Sequence, residues 1–260
     1  MGKVIAFSNQ KGGVGKTTTC VNVATCLADL GKKVLVIDLD PQGNATTGLG
    51  INKGAVKNSV YQVLTEEALI KNTMVKTGVE NLSLVPSSID LAGAEVELVY
   101  LKNREKRLLE AVKKEKKNFD YIFIDCPPSL GLLTINALTC ASSVVIPIQC
   151  EFFALEGLSQ LMHTIKLVIK HLNPSLEIEG VVLTMYDGRA IASRQIAGEI
   201  RNYFGDKVYK TVIPRNIRVS EAPSHDMPVI KYDPKCTGTK AYTELTKEFV
   251  EKGEKANVDK

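Results

Sequence analysis

Short apolar runs alternate with longer mixed stretches along the whole chain. The runs are rich in β-branched residues and lack polar alternation, which is typical of strands buried on both faces. Strands that alternate with helices indicate a parallel sheet with crossover connections. The predicted strands are Val4–Phe7, Val34–Ile37, Leu82–Val85, Tyr121–Ile124, Val144–Ile148, Val181–Leu183 and Val208–Ile213.

The stretches between these runs predict helices, and two segments rich in turn-forming residues, Asp40–Gly54 and Pro214–Pro228, predict loops. A long helix is expected from Asp90 towards Lys114, capped by Asp90 and with Lys102 as the candidate break. The other predicted helices are Lys16–Leu30, Ser59–Leu64, Ala68–Lys76, Leu132–Ala141, Leu155–His171, Arg194–Tyr203 and Thr239–Glu251.

The fold class that follows is α/β: a single doubly wound, mainly parallel sheet with helices on both faces. One domain is expected over residues 1–252, followed by a polar flexible tail at 253–260. In such sheets, ligands bind beyond the carboxyl ends of the strands, so the segments that follow strands are the candidate binding segments. They are Asn9–Thr18, Asp38–Asn44, Asp125–Ser129, Gln149–Phe153, Thr184–Arg189 and Pro214–Arg218.

A glycine-rich loop, Lys11-Gly-Gly-Val-Gly-Lys-Thr17, follows the first predicted strand and opens the first predicted helix. Its glycines let the backbone wrap closely around an anion, and the helix dipole adds positive potential there. Lys16 supplies a charge for the β and γ phosphates, and Thr17 offers a hydroxyl to Mg²⁺. The sequence therefore predicts an Mg-ATP site. Its loop residues are Lys11, Gly12, Gly13, Val14, Gly15, Lys16, Thr17 and Thr18.

Three carboxylates follow predicted strands and are candidates for work at the phosphates. Asp125 ends a buried strand and is expected to hold Mg²⁺, with Asp38 supporting the metal shell. Helix capping is the alternative for both residues. Asp40 lies where a carboxylate could face the γ-phosphate, and an aspartate in general is a poor base at neutral pH.

The loop departs from the plain G-x-x-x-x-G-K-[ST] pattern, because Gln10 stands where the first glycine is expected and Lys11 follows it. In this form it resembles the deviant Walker A motif of the ParA/MinD group of ATPases. Other segments resemble the Walker A′, Walker B and late nucleotide-and-DNA segments of ParA/Soj proteins. They are Asp38-Leu-Asp-Pro-Gln-Gly-Asn-Ala-Thr46, Tyr121-Ile-Phe-Ile-Asp-Cys-Pro-Pro-Ser129 and Ile213-Pro-Arg-Asn-Ile-Arg-Val-Ser-Glu-Ala-Pro-Ser224.

With Thr184-Met-Tyr-Asp-Gly-Arg189, the similarity to the ParA/Soj family of chromosome-partitioning ATPases spans nearly the whole chain. The resemblance implies that Lys11 reaches the partner subunit's phosphates in an ATP-sandwiched homodimer. It also implies that Asp40 positions the attacking water, as orientation rather than proton removal, in a slow ATPase.

The adenine is expected against Pro214 and Asn216, because proline gives a flat apolar wall and the amide can hydrogen-bond base edges. Met185 is a candidate to pack on the ring, with a core position as the alternative. The resemblance points to Arg189 and Arg218 as non-specific contacts to double-stranded DNA. Solvated surface is the alternative interpretation of these arginines.

Partners and location also follow from the resemblance. A ParB-like protein is expected to stimulate hydrolysis, and the chain is expected on the nucleoid, with a role in replication initiation also open. The net charge of +4 and the pI of about 8.6 permit salt-sensitive DNA binding. The lack of a secretory signal and of any CxxC pair predicts reduced thiols in a cytoplasm.

Two other classes of function remain open at this point. A MinD-like membrane-cycling ATPase would need a strongly apolar face on its last helix, and Tyr242–Val250 carries few apolar residues, so no stable membrane association is expected. An iron–sulfur reductase of the nitrogenase iron-protein type shares this loop. It would need a cysteine pair presented to a subunit twin, for which Cys126, Cys140 and Cys150 are the candidates.

Overall fold

The computed structural model describes residues 2–151 and 154–258, and a seven-stranded sheet forms its centre. The strands are β1 (Lys3–Phe7), β2 (Val34–Asp38), β3 (Val75–Lys76), β4 (Leu82–Val85), β5 (Tyr121–Asp125), β6 (Ser143–Gln149) and β7 (Glu177–Thr184). Their order across the sheet is β3-β4-β2-β5-β1-β6-β7. All neighbours pair in parallel except β3 and β4, which are antiparallel. The predicted fold class is confirmed.

Helices cover both faces of this sheet. They are α1 (Lys16–Asp29), α2 (Asn44–Gly48), α3 (Val60–Leu64), α4 (Ile70–Thr73), α5 (Leu91–Glu97), α6 (Arg107–Glu115), α7 (Leu132–Cys140), α8 (Ala154–His171), α9 (Ile191–Phe204), α10 (Ile217–Glu221), α11 (Val229–Tyr232) and α12 (Thr237–Val258). One core joins the sheet to α3 to α9, and the other joins it to α1, α2, α11 and α12. Central strands are therefore buried on both sides, which explains their unbroken apolar sequences.

The register of the sheet brings three candidate binding segments together. Asp125 at the end of β5 pairs with Phe7 at the end of β1 on one side and with Asp38 at the end of β2 on the other. The glycine-rich loop follows Phe7 directly. Because β1 lies between β5 and β6, the loop leaves the sheet where the strand order reverses, the position at which doubly wound sheets bind ligands.

The segment Val208–Ile213, predicted as a strand, does not join the sheet as one. It forms one isolated bridge to β7, between Val208 and Val181. The Glu248 carboxylate of α12 accepts the backbone N–H groups of Lys210 at 2.8 Å and Thr211 at 3.0 Å. Since these donors are taken by a side chain, a continuous ladder cannot form.

The helix predicted over Ala68–Lys76 is also wrong in its second half. The helix ends at Thr73, and Val75 pairs with Leu84 in β4 as part of β3. Its β-branched side chain favours this extended backbone. Both predicted loops contain a short helix, since α2 lies within Asp40–Gly54 and α10 within Pro214–Pro228.

The long helix predicted from Asp90 is divided into α5 and α6, near the expected break. Asn103 there adopts a left-handed backbone with φ of 55°, which interrupts a helix. Asp90 occupies the N-cap position of α5, as predicted, but its side chain makes no capping hydrogen bond. At the other end of the chain, α12 continues to Val258, past Glu251 and past the predicted domain boundary at residue 252.

A first prediction concerns the contact of β7 with Tyr209. A Cβ at Gly180 would overlap the ring of Tyr209, which is 1% exposed and has no room to move. Gly180→Ala should lower the free energy of unfolding by about 1–3 kcal/mol, as overpacking does. Urea denaturation measures this change. Gly198→Ala in α9, where a Cβ would meet no atom of the described residues within 4 Å, should be neutral or stabilising. Equal effects at the two glycines would contradict the proposed overlap.

Candidate nucleotide site

The glycine-rich loop adopts a backbone that residues with a side chain disfavour. Gly13 and Gly15 have φ of 73° and 80°, in the left-handed region. Gly15 directly precedes α1, so the loop ends at the positive end of a helix. The buried side chain of Val14 and a 2.8 Å hydrogen bond from the Thr184 hydroxyl to the Val14 carbonyl oxygen fix the loop to β7. This arrangement is a preformed anion cradle.

Lys16 begins α1 and is only 6% exposed. Its ammonium donates to the carbonyl oxygen of Lys11 at 3.1 Å, which holds the side chain across the loop. Burial lowers the pKa of Lys16, and the nearby Asp125 and Asp40 oppose this effect. An anion in the cradle would therefore meet a positive charge that is already in position.

Asp125 is fully buried, and neither of its carboxylate oxygens has a hydrogen-bond partner in the described part of the chain. Burial, followed by the neighbouring Asp38, raises the pKa of Asp125 well above its usual range, while Thr17 and Lys16 oppose the shift. A buried carboxylate of this kind is unfavourable without a cation. Two bare oxygens beside a partly exposed Thr17 hydroxyl fit Mg²⁺, which binds through few protein ligands and keeps several waters.

Asp38 differs from Asp125 because its oxygens are satisfied. The backbone N–H and the hydroxyl of Thr46 both donate to one oxygen at 2.7 Å. Burial raises the pKa of Asp38 to about 6, against the lowering effect of these hydrogen bonds. Thr46 lies in α2, so Asp38 connects this helix to the sheet. Because Asp38 accepts a backbone N–H from the first turn of α2, its contact resembles the helix capping considered as its alternative role. Asp38 therefore has no free oxygen to offer to a metal ion, and it could only support the residues that hold one.

Asp40 and Lys11 lie at the mouth of the loop. Asp40 is 6% exposed, accepts the backbone N–H of Gln42 at 2.9 Å and lines the cavity described below. The ammonium of Lys11 lies 3.3 Å from the carboxylate of Glu151, which follows β6. Phe152 and Phe153, in the same candidate segment, lie outside the described residues.

A cavity of about 590 Å³ opens over the loop, large enough for a nucleotide. Met185 lines it, as expected, with a φ of 50° that is unusual for a residue with a side chain. Pro214 and Asn216 are not among its described lining residues. The Asn216 amide instead caps α10, where it accepts from the N–H of Val219 and donates to the Thr237 hydroxyl.

Other residues line the cavity that sequence reasoning did not single out. They come from the two segments predicted as loops, and all but Lys53 and Met227 lie within the stretches that resemble Walker A′ and the late nucleotide segment. They are Gln42, Asn44, Lys53, Val219, Ala222, Pro223 and Met227. For Lys53 and Met227, which lie outside those stretches, only the high content of turn-forming residues in the two segments could have indicated a site.

The predicted DNA contacts lie on neighbouring segments, with Arg189 between β7 and α9 and Arg218 in α10. A backbone bridge between Tyr186 and Pro214 joins the segments that carry Arg189 and Arg218. The Arg189 side chain is 92% exposed and pairs with Asp187 at 3.1 Å. Arg218 is exposed as well and pairs with Glu221 at 2.8 Å. Both arginines are accessible at the surface, with acidic neighbours as their present partners.

The cysteines and the last helix bear on the two alternative classes. Cys126, Cys140 and Cys150 are buried, and burial raises the pKa of Cys140 to about 12 and that of Cys150 to about 11. They are therefore not presented at a subunit surface. Within residues 2–151 and 154–258, no cluster of three His, Cys, Asp or Glu side chains could hold a metal ion.

The apolar side chains of α12, namely Tyr242, Leu245 and Phe249, are buried against α1 and the sheet. The apolar face of α12 is thus packed in the core and is not exposed for contact with a membrane. Among the described residues, no helix has both the length and the apolar character needed to span a membrane.

The site combines a glycine loop between β1 and α1, a buried Lys16 and a bare Asp125 on the adjacent strand. This combination defines a P-loop ATPase. Lys11 is the second lysine that marks the deviant type of the loop. The family model described as AAA domain matches residues 2–178. The chain is 59% identical over 253 residues to the sporulation initiation inhibitor protein Soj of Bacillus subtilis, covering 97% of this chain and 100% of that protein. It belongs to the ParA/Soj family of chromosome-partitioning ATPases.

A second curated relative agrees with this assignment, and two solved structures share the fold. The chain is 53% identical to the chromosome partitioning protein ParA of Caulobacter vibrioides, over 95% of this chain and 94% of that protein. A cobyrinic acid a,c-diamide synthase from Mycobacterium smegmatis, solved with an ATP analogue and magnesium, superposes with a TM-score of 0.84 at 38% identity, covering 95% and 93% of the two chains. The cell division ATPase MinD of Pyrococcus furiosus gives 0.78 at 29%, covering 96% and 99%.

A second prediction follows from the buried charge of Asp125. Without Mg²⁺ and nucleotide, Asp125→Asn should raise the free energy of unfolding at pH 7 by about 1–3 kcal/mol, because a neutral amide replaces an uncompensated carboxylate. The folded pKa is raised above the unfolded value of about 3.9, so the penalty is present at neutral pH and disappears as the pH falls below about 4. The stabilisation should therefore shrink on acidification.

Chemical denaturation from pH 4 to pH 8 measures this difference between the wild type and the variant. Asp206→Asn, at an exposed position, is the matched control and should show neither effect. A variant that is less stable than the wild type at pH 7 would mean that the Asp125 charge is already compensated in the free protein.

Proposed function

We propose that the 590 Å³ cavity binds Mg-ATP and that the chain hydrolyses it slowly. The observation that carries this proposal is the bare, fully buried carboxylate of Asp125 beside the glycine loop and Lys16. Solved relatives support it, since the cobyrinic acid a,c-diamide synthase was solved with an ATP analogue and magnesium and a putative plasmid partition protein of Borrelia burgdorferi with AMPPNP.

In this proposal, the backbone of residues 12–18 and the ammonium of Lys16 hold the phosphates. Thr17 and Asp125 would hold Mg²⁺, supported by Asp38. The metal ion, when bound, neutralises charge on the phosphate oxygens. Asp40 orients the attacking water, since a carboxylate in its place at the cavity wall contributes position rather than strong basicity.

The adenine base is proposed to lie between Met185 and α10. Met185 lines the cavity and can pack on the ring. Pro214 and Asn216 are adjacent in sequence to α10, whose Val219 also lines the cavity. We place the base against this helix, and Asn216 acts through its cap of α10.

The cycle of the proposed ATPase is that of a nucleotide-controlled dimer. ATP closes a homodimer in which Lys11 of each subunit reaches the phosphates of the other. The dimer binds double-stranded DNA without sequence specificity through Arg189 and Arg218, and so associates with the nucleoid in the cytoplasm. A ParB-like protein stimulates hydrolysis and resets the monomer. A role in replication initiation would use the same switch.

Stable membrane association has no place in this cycle. A membrane-surface helix needs a free apolar face, and the described apolar side chains of α12 are packed in the core. Sedimentation with anionic liposomes in the presence of ATP tests this point. Co-sedimentation of the protein with the liposomes would favour the MinD-like membrane-cycling ATPase instead.

A third prediction separates binding from hydrolysis. Lys16→Ala should abolish detectable ATP binding, because the cradle loses its fixed charge. Asp40→Ala should bind ATP within about threefold of the wild type, yet lose at least about 100-fold in hydrolysis rate, since misplacing a reactant costs that much. Equilibrium dialysis and phosphate release measure the two quantities. Equal loss of binding in both variants would contradict the role given to Asp40.

A fourth prediction concerns DNA. ATP-bound wild type should co-sediment with double-stranded DNA, ADP-bound protein should not, and the double variant Arg189→Ala/Arg218→Ala should lose binding. Affinity should fall steeply with salt, because phosphate contacts release counterions. The matched control is Lys247→Ala, at an exposed residue of α12 that pairs with Glu244. Weak binding that is equal in all nucleotide states and variants would assign the two arginines to solvated surface.

A further inference from the structure

Two cations from different loops converge on one carboxylate at the end of β6. The Lys11 ammonium lies 3.3 Å from one oxygen of Glu151, and the Arg215 guanidinium lies 3.5 Å from the other. The Gln149 amide also donates to Glu151. Glu151 therefore links the mouth of the glycine loop to the loop that carries the arginines.

Lys11 is held at three points in this arrangement. Its backbone N–H donates to the Asn9 side chain at 3.0 Å, and Asn9 in turn donates to the Pro147 carbonyl of β6 at 2.7 Å. Its carbonyl oxygen accepts the ammonium of Lys16 at 3.1 Å. Its ammonium donates to the carboxylate of Glu151. Phosphate in the cradle would compete for Lys16, which removes one of these restraints and leaves the contact with Glu151.

The contact between Lys11 and Glu151 is weak enough to break. The two side chains are 33% and 48% exposed, and ion pairs at such positions contribute little. Glu151 would keep Arg215 and Gln149 as partners after Lys11 left, so its carboxylate would not be stranded. Lys11 can thus exchange a carboxylate of its own chain for a more highly charged phosphate.

We propose that Glu151 is a positioning residue that holds Lys11 on its own subunit and thereby raises the ATP concentration needed for the homodimer to form. The inference rests on the proposed dimer, in which Lys11 must leave this contact to reach the phosphates of the other subunit. Each dimer breaks two such contacts, one in each subunit. Glu151 therefore sets a threshold that keeps the protein monomeric at low ATP.

The test compares wild type and Glu151→Gln by sedimentation velocity, with a non-hydrolysable ATP analogue over a range of concentrations. Glutamine keeps the shape of the side chain and removes its charge. If one contact is worth about two- to fivefold, removing it from both subunits in Glu151→Gln should lower the dimer dissociation constant by about four- to 25-fold. The gain should shrink as salt is raised, because screening weakens the wild-type contact. A purely structural role would not respond to salt.

Two controls locate the effect. Glu156→Gln makes the same charge change at an exposed position in the first turn of α8, and should leave dimerisation unchanged. Glu151→Gln should strengthen the dimer at least as much in an Arg215→Ala background, because the effect passes through Lys11. A gain that disappears in that background overturns the proposal.

The remaining outcomes are also decisive. A dimer that is unchanged or weakened by Glu151→Gln overturns the role of Glu151 and leaves the proposed ATP-dependent dimer standing. If neither protein dimerises at any concentration of the analogue, the proposed dimer and the restraint on Lys11 both fail.

Discussion

The structure depends on a pair of aspartates at the ends of two adjacent central strands. Asp38 and Asp125 pair in the register of β2 and β5, and both are fully buried. Two neighbouring carboxylates inside a protein repel each other and lack solvation. The fold satisfies one of them with Thr46 and leaves the other bare, facing Lys16 and the glycine loop. The remaining free energy penalty is the reason this edge of the sheet favours a cation and the polyanion that accompanies it.

The same pair organises the surroundings of the site. Asp38 anchors α2 through Thr46, whose hydroxyl in turn accepts the backbone N–H of Ser87 at 3.0 Å. Ser87 donates to the carbonyl oxygen of Asp40 at 2.7 Å. The position of Asp40 is thus set by a chain of buried hydrogen bonds that begins at the metal-facing edge. Buried polar networks of this kind specify one geometry because every lost partner is costly.

The local sequence pattern was sufficient to predict the central sheet and to predict which segments come together at the candidate site. Unbroken apolar strands, each followed by a polar segment, predict a parallel sheet, and parallel strands necessarily bring Asp38, Asp125 and the glycine loop to one edge. Long-range contacts decided the rest. Glu248, far along the chain, diverts Val208–Ile213 from the sheet, and the capping role of Asn216 depends on Thr237. Neither contact leaves a periodic pattern in the sequence, so the pattern alone predicts a strand at Val208–Ile213 and does not predict the capping role of Asn216.

Both edges of the sheet are closed, which affects how the protein can assemble. On one side, β3 is only two residues long and antiparallel. On the other side, Tyr209 and Ile213 donate backbone hydrogen bonds to β7 and cover its outer edge. Strand addition, the common route to amyloid-like aggregation, therefore finds little free backbone at either edge. A high local concentration of the protein should accordingly not promote β-sheet fibres.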